Sequence, residues 1–141
     1  MNYEEIFQEA IKAAETAVQL QAKSLEGKDM GFDCGFAWVI VKPATGPFVK
    51  WAKSKIKEAG FKYDSSGNLQ TLSGAYAAGG SSQRSIRKYG SKSYTGGWQF
   101  WEPGADSYRG QSISVFEKGS YAFAAVLKAN GIDCYVDSRL D

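Results

Sequence analysis

A chain of 141 residues with 17 basic and 15 acidic side chains, 43% hydrophobic and 23% charged, has the composition of one globular domain and excludes wholesale disorder. The net charge of +2 is too small to mark a nucleic-acid binder by itself, and apolar runs such as Phe36 to Val41 are far too short to span a bilayer. No histidine is present, which excludes Ser-His-Asp and Cys-His nucleophilic machinery, histidine general bases and histidine-ligated zinc.

Any catalysis would therefore run on carboxylates, Lys, Tyr or a lone Cys, so the reading leans away from an enzyme. No catalytic residue, metal or cofactor is expected. Met1 to Glu9 carries acids and no basic cluster, so no leader is expected and the cytoplasm is the expected compartment. Cys34 and Cys134 show no metal-ligand spacing and are too few for a disulfide scaffold. Two reduced, strand-borne thiols packed as small hydrophobes are expected.

In chain order, Tyr3 to about Leu25 reads as an amphipathic helix with Ile6, Ala10, Ala13, Ala14, Ala17, Val18 and Leu25 near one stripe. Asn2 is its expected cap, and Glu4 and Glu5 suit the positive end of the helix dipole. Gly27 to Gly31 reads as a polar connector. Cys34 to Pro43 is the strongest strand signal, apolar on both faces: Phe36, Trp38 and Ile40 on one, Ala37, Val39 and Val41 on the other. A second helix is expected from Pro47 to Ala59, ended by Gly60.

Residues 65–97 are rich in Gly and Ser, and no acid occurs between Asp64 and Glu102. Short strands near Phe61 to Tyr63 or Leu69 to Tyr76 fit the pattern, with much of the remainder as loop. Trp98 to Trp101 reads as a strand. Ser114 and Glu117 match a capping box at the start of a third helix, in which Gly119 implies close packing and Asn130-Gly131 the stop. Ile132 to Val136 is the last expected strand.

That order predicts an α+β fold, a ferredoxin-like βαββαβ sandwich with an extra N-terminal helix (residues 1–26) and a long Gly/Ser-rich insertion (65–97) in a single domain over residues 1–141. The surplus helix is expected over the sheet face bearing Phe36 and Trp38.

Cys34-Gly35-Phe36-Ala37-Trp38-Val39, Lys42-Pro43, Arg87-Lys88, Gly96-Gly97, Gln111-Ser112 and the closing Ser138-Arg139-Leu140-Asp141 form a further pattern. On these residues the chain resembles a set of small hypothetical proteins carried by bacteriophages. The resemblance covers most of the chain, with roughly residues 62–83 as extra length. It implies a phage setting, hence host takeover or counter-defence, and contributes no catalytic residues.

The leading chemical candidate is the acid-free stretch with Arg84, Arg87, Lys88, Tyr89, Lys92 and Tyr94. Guanidinium and ammonium groups suit phosphates, and flat rings suit bases. Trp98, Phe100 and Trp101 are the expected stacking platform. The competing reading is a solvated loop beside core aromatics. Lys50, Lys53 and Lys57, flanked by Lys42 and Lys62, fit a phosphate-tracking patch but read more simply as a solvated helix face. Arg109, Gln111 and Ser112, before the third helix, fit an anion site or a plain connector. Asp133 and Asp137 share a strand face and read as solvated carboxylates rather than a metal or acid/base pair. Gly46-Pro47, Gly79-Gly80 and Gly96-Gly97 match no nucleotide-loop spacing and read as turns.

The combined expectation is a binding protein for a phosphate-bearing partner, nucleic acid or nucleotide. Its grip is Arg84, Arg87, Lys88 and Lys92 with Tyr94, Trp98 or Trp101, and Arg109 and Gln111 set orientation. The alternative is a protein-interaction module that contacts a host protein or a second copy of itself and binds no nucleic acid. Neither reading involves a membrane.

Overall fold

A computed structural model of the chain describes residues 1–27, 33–75 and 85–141. Most of the expected connector at Gly27 to Gly31, the turn at Gly79-Gly80 and the candidate Arg84 lie outside the described residues. In chain order the elements are α1 (Tyr3–Ser24), β1 (Gly35–Val41), α2 (Pro47–Glu58), β2 (Phe61–Tyr63) and β3 (Leu69–Thr71). A helical stretch at residues 85–87, here α3, is followed by β4 (Ser91–Lys92), β5 (Trp98–Trp101), α4 (Ile113–Ala129) and β6 (Cys134–Leu140). The protein is mixed α+β, with a four-stranded antiparallel sheet of order β4-β5-β1-β6 and a separate two-stranded sheet, β2-β3. This differs from the expected four-stranded, three-helix plan. β2 and β3 pair with each other, and α3 is an additional helix.

The chain divides into two compact units: Met1–Ile40 with Trp101–Asp141, and Val41–Phe100. In the first unit α1 forms where its alanine-rich stripe predicts, and Asn2 Oδ1 accepts a hydrogen bond from the Glu5 N–H at 3.1 Å. Its buried face is Ile6, Phe7, Ala10, Ala14 and Val18. That face packs on α4. The Phe7 ring meets Phe123 edge-on, with centroids 6.1 Å apart. Both rings are fully buried, each burial contributing about 1.5–3 kcal/mol.

Two glycines let α1 pack closely, Gly119 on α4 and Gly104 in the loop after β5. A β-carbon on Gly119 would stand 2.6 Å from Val18 Cγ2, and one on Gly104 would stand 2.6 Å from Ala14 Cβ. The expectation that α1 covers Phe36 and Trp38 is thereby corrected. On β1 it is Ala37, Val39 and Gly35 that are buried, while Phe36 and Trp38 are only half-buried. Small side chains decide the face: a β-carbon on Gly35 would meet Ile113 Cδ1 at 2.9 Å, so α4 lies close on that side.

The capping box at Ser114 does not form. The helix starts two residues earlier than that box requires, with Ser112 as N-cap and no side-chain cap bond. Ser114 Oγ instead accepts from Gln21 Nε2 at 3.2 Å, and Glu117 Oε2 accepts from Ser138 Oγ at 2.9 Å. Backbone ties set this start: the Ile113 N–H donates to the Asp33 carbonyl at 2.9 Å. Asn130 ends α4 as its C-cap, and Gly131 follows at φ 78°.

β6 runs to Leu140, four residues past its expected end. Its tail lies beside the start of β1, where the Asp141 N–H donates to the Cys34 carbonyl at 3.1 Å. Cys34 and Cys134 are both free thiols. Cys34 is exposed rather than packed as expected, because it sits at the strand's entrance.

In the second unit α2 starts at Pro47 and turns at Gly60, φ 89°, directly into β2. β2 and β3 pair as a hairpin, Phe61 opposite Thr71 and Tyr63 opposite Leu69. Asp64 Oδ1 shapes the turn by accepting from the N–H groups of Ser66 and Asn68 at 2.9 and 2.8 Å. β4 and β5 form a second hairpin, Lys92 opposite Trp98, closed by the Ser93 N–H donating to Gly97 O. The core of this unit includes Phe48, Val49, Ala52, Ile56 and Phe100. Phe48 stacks on Trp51 and touches Phe100. Trp51 is only half-buried.

Candidate functional site

The second unit holds a groove of about 980 Å³ between α2, the two hairpins and α3. Nucleotide-sized ligands occupy cavities of about 300–1,000 Å³. Its rim carries Lys53 and Lys57 from α2, Lys62 from β2, Arg87 from α3 and Lys92 from β4. Lys53 and Lys57 are four apart on one helix face, and the Gly60 turn brings Lys62 beside them. All five side chains are exposed. Asp64 is the one carboxylate among the described lining residues, and its Oδ1 is engaged in the hairpin turn.

Trp98 forms the floor. It is 5% exposed, its indole N–H donates to the Tyr89 carbonyl at 2.8 Å, and the Lys53 ammonium lies 5.0 Å above its ring. Tyr63 meets Trp98 edge-on and donates its hydroxyl to the Gly90 carbonyl at 2.9 Å. Burial pushes the Tyr63 phenol above its ordinary value, with the Arg87 charge acting the other way. It stays a neutral hydrogen-bond donor near neutrality. Tyr94 stands at the tip of the β4–β5 hairpin, fully exposed.

The expected grip is thus brought together in part. Arg87, Lys92, Tyr94 and Trp98 line one groove. The expectation that Trp98 offers a stacking face is corrected: its ring is buried and its N–H is committed. Lys88 places its ammonium 5.2 Å over the Tyr89 ring and is not part of the groove lining. Lys53, Lys57 and Lys62, taken from the sequence as a solvated face, are the cations that complete the rim. The signal was present in their spacing, but nothing local linked them to Arg87 and Lys92.

Trp101, Arg109 and Gln111 belong to the first unit. Trp101 is 45% exposed and stacks on Trp38, and Arg109 is exposed. The Gln111 carbonyl accepts from the Gly35 N–H at 3.0 Å. Ser112 is fully buried, with its N–H donating to the Tyr108 hydroxyl, so it does not offer an anion contact. Asp133 and Asp137 are exposed. Among the described residues, no group of three or more Cys, Asp or Glu is placed to hold a metal ion, and no helix is long and apolar enough to cross a membrane.

No family model matches the chain, and it matches no curated protein and no solved structure.

Proposed function

We propose that this chain is a non-enzymatic binding protein whose basic groove receives a phosphate-bearing partner, a nucleic acid or a nucleotide. The observation that carries the reading is the charge around the groove. Five cations face one carboxylate across a space of ligand size, with an exposed tyrosine ring at the rim. Phosphates neutralise such a set with release of counterions, and the ring adds a stacking partner.

The ferredoxin-like arrangement, the cytoplasmic setting and a phage role in host takeover or counter-defence belong to the same proposal. The place of β1 between β5 and β6 in one antiparallel sheet, with α4 joining β5 to β6, supports the first. The resemblance read in the sequence supports the last.

The test is retention on heparin, then binding of a labelled single-stranded oligonucleotide and a fluorescent ATP, each across a salt series. Retention that collapses with salt supports the proposal. The double variant Arg87→Ala, Lys92→Ala should fold normally, because exposed charges contribute only about 0–1 kcal/mol. Its ligand binding should weaken, with a shallower salt dependence. Unchanged binding in that variant, or retention that persists in high salt, overturns it in favour of a protein-interaction module.

A further inference from the structure

The first unit carries a second surface that the groove does not account for. Trp101 stacks on Trp38 with ring centroids 5.0 Å apart and planes 17° from parallel, and Phe36 lies 5.7 Å from Trp101. The ring cluster sits on the side of β1 away from α4, because Gly35, Ala37 and Val39 take the α4 side. Trp101 remains 45% exposed, and Phe36 and Trp38 are half-buried.

A cation stands at its edge: the Arg139 guanidinium is 5.4 Å from the Phe36 ring centre. Tyr135, 39% exposed, is on the same outward register of β6 as Arg139, alternating with buried Cys134. Glu102, at the end of β5, hydrogen-bonds the Trp101 side chain and puts a carboxyl beside the rings.

We infer that this ring face binds unpaired nucleobases, so that the chain engages a single-stranded nucleic acid through the first unit independently of the groove. A half-open stack of flat rings is extended by one more flat ring, and every base has such a face. The guanidinium at the edge complements the phosphate that accompanies each base. Bases in a duplex are already stacked and paired, so this surface discriminates against double strands.

The test uses the full chain and a fluorescein-labelled single strand of about twelve nucleotides, made as DNA and as RNA. Binding should quench tryptophan emission, and unlabelled duplex of the same sequence should fail to compete. Phe36→Leu and Trp101→Leu should each weaken binding by about tenfold or more while leaving the salt dependence intact. Trp101→Phe should retain most of the affinity.

The variant Lys57→Ala, Lys62→Ala separates the two surfaces. It should flatten the salt dependence if the groove reading holds, and that result does not touch the ring face. Thermal melts report whether each variant folds, and the emission quench on the native chain stands even where a leucine variant unfolds. Single strands that leave tryptophan emission unchanged overturn the inference. So does duplex that competes equally, or a folded Trp101→Leu protein that binds within twofold of the native chain.

Discussion

Gly90 lies under the Trp98 indole: a β-carbon built on the glycine would collide with the ring Nε1, approach Cδ1 to 2.7 Å and the Gln99 carbonyl to 2.8 Å. The same residue has φ 94° and is buried, and its carbonyl accepts from the Tyr63 hydroxyl. The turn between Arg87 and Lys92 is therefore clamped from both sides, and this holds two rim cations in place.

Gly90→Ala should be strongly destabilising, by about 2–4 kcal/mol, because positive φ and overpacking act together. Urea denaturation measures this directly. A change under about 1 kcal/mol would mean that the clamp relaxes easily, since that is within the range of ordinary surface substitutions.

Glu102 sets a pH dependence. Burial pushes its carboxyl from an ordinary 4.5 up to about 7, and the hydrogen bond with the Trp101 side chain holds part of the rise back. A carboxyl raised on folding keeps its proton in the native state while the unfolded chain has lost it. Its contribution to stability is therefore present at low pH and lost as pH rises from about 4.5 through about 7. Glu102→Gln, which keeps an acceptor for Trp101, should melt higher than the native chain at about pH 8 and converge with it near pH 4. Parallel melting curves across that range would show that Glu102 is not the titrating group.

The two thiols should differ sharply in reactivity. Cys34 is exposed, whereas Cys134 is 6% exposed and its thiol is pushed up to about 11 by burial, with Lys128 acting against the rise and Asp133 adding to it. Ellman's reagent should titrate Cys34 rapidly and Cys134 only on unfolding, because the thiolate is the reactive form. Two equally fast sites would place Cys134 outside the core.

Gly119→Ala tests the contact between α1 and α4. Alanine gains about 1 kcal/mol of helix propensity over glycine, but its methyl would stand 2.6 Å from Val18 Cγ2 and 2.7 Å from the Pro103 carbonyl oxygen. Overpacking of that kind costs about 1–3 kcal/mol, so the melting temperature should fall. Pairing it with Val18→Ala should recover part of the loss if the steric contact is the cause.

Local chemistry made the helices and the clearest strands legible in the sequence. The stripe of α1, the Asn2 cap, Pro47 at the head of α2 and the glycines at 60 and 131 act over a few residues, and each formed as expected. A capping box is also local, yet Ser114 and Glu117 were taken by Gln21 and Ser138, partners far away in the chain. An amphipathic stripe reports that a face is buried and is silent about what covers it, which is why α1 was assigned to the wrong partner. β1 is apolar on both faces, so only the close approach of α4 at Gly35 decided that Ala37 and Val39 are core and that Phe36 and Trp38 stay half-open. The groove depended on tertiary structure for the same reason. Lys53, Lys57 and Lys62 sit some 25 or more positions from Arg87 and Lys92. Charge along a chain shows no periodicity across such a gap. The Gly60 turn and the two hairpins bring those cations to one rim, and that proximity is a property of the fold.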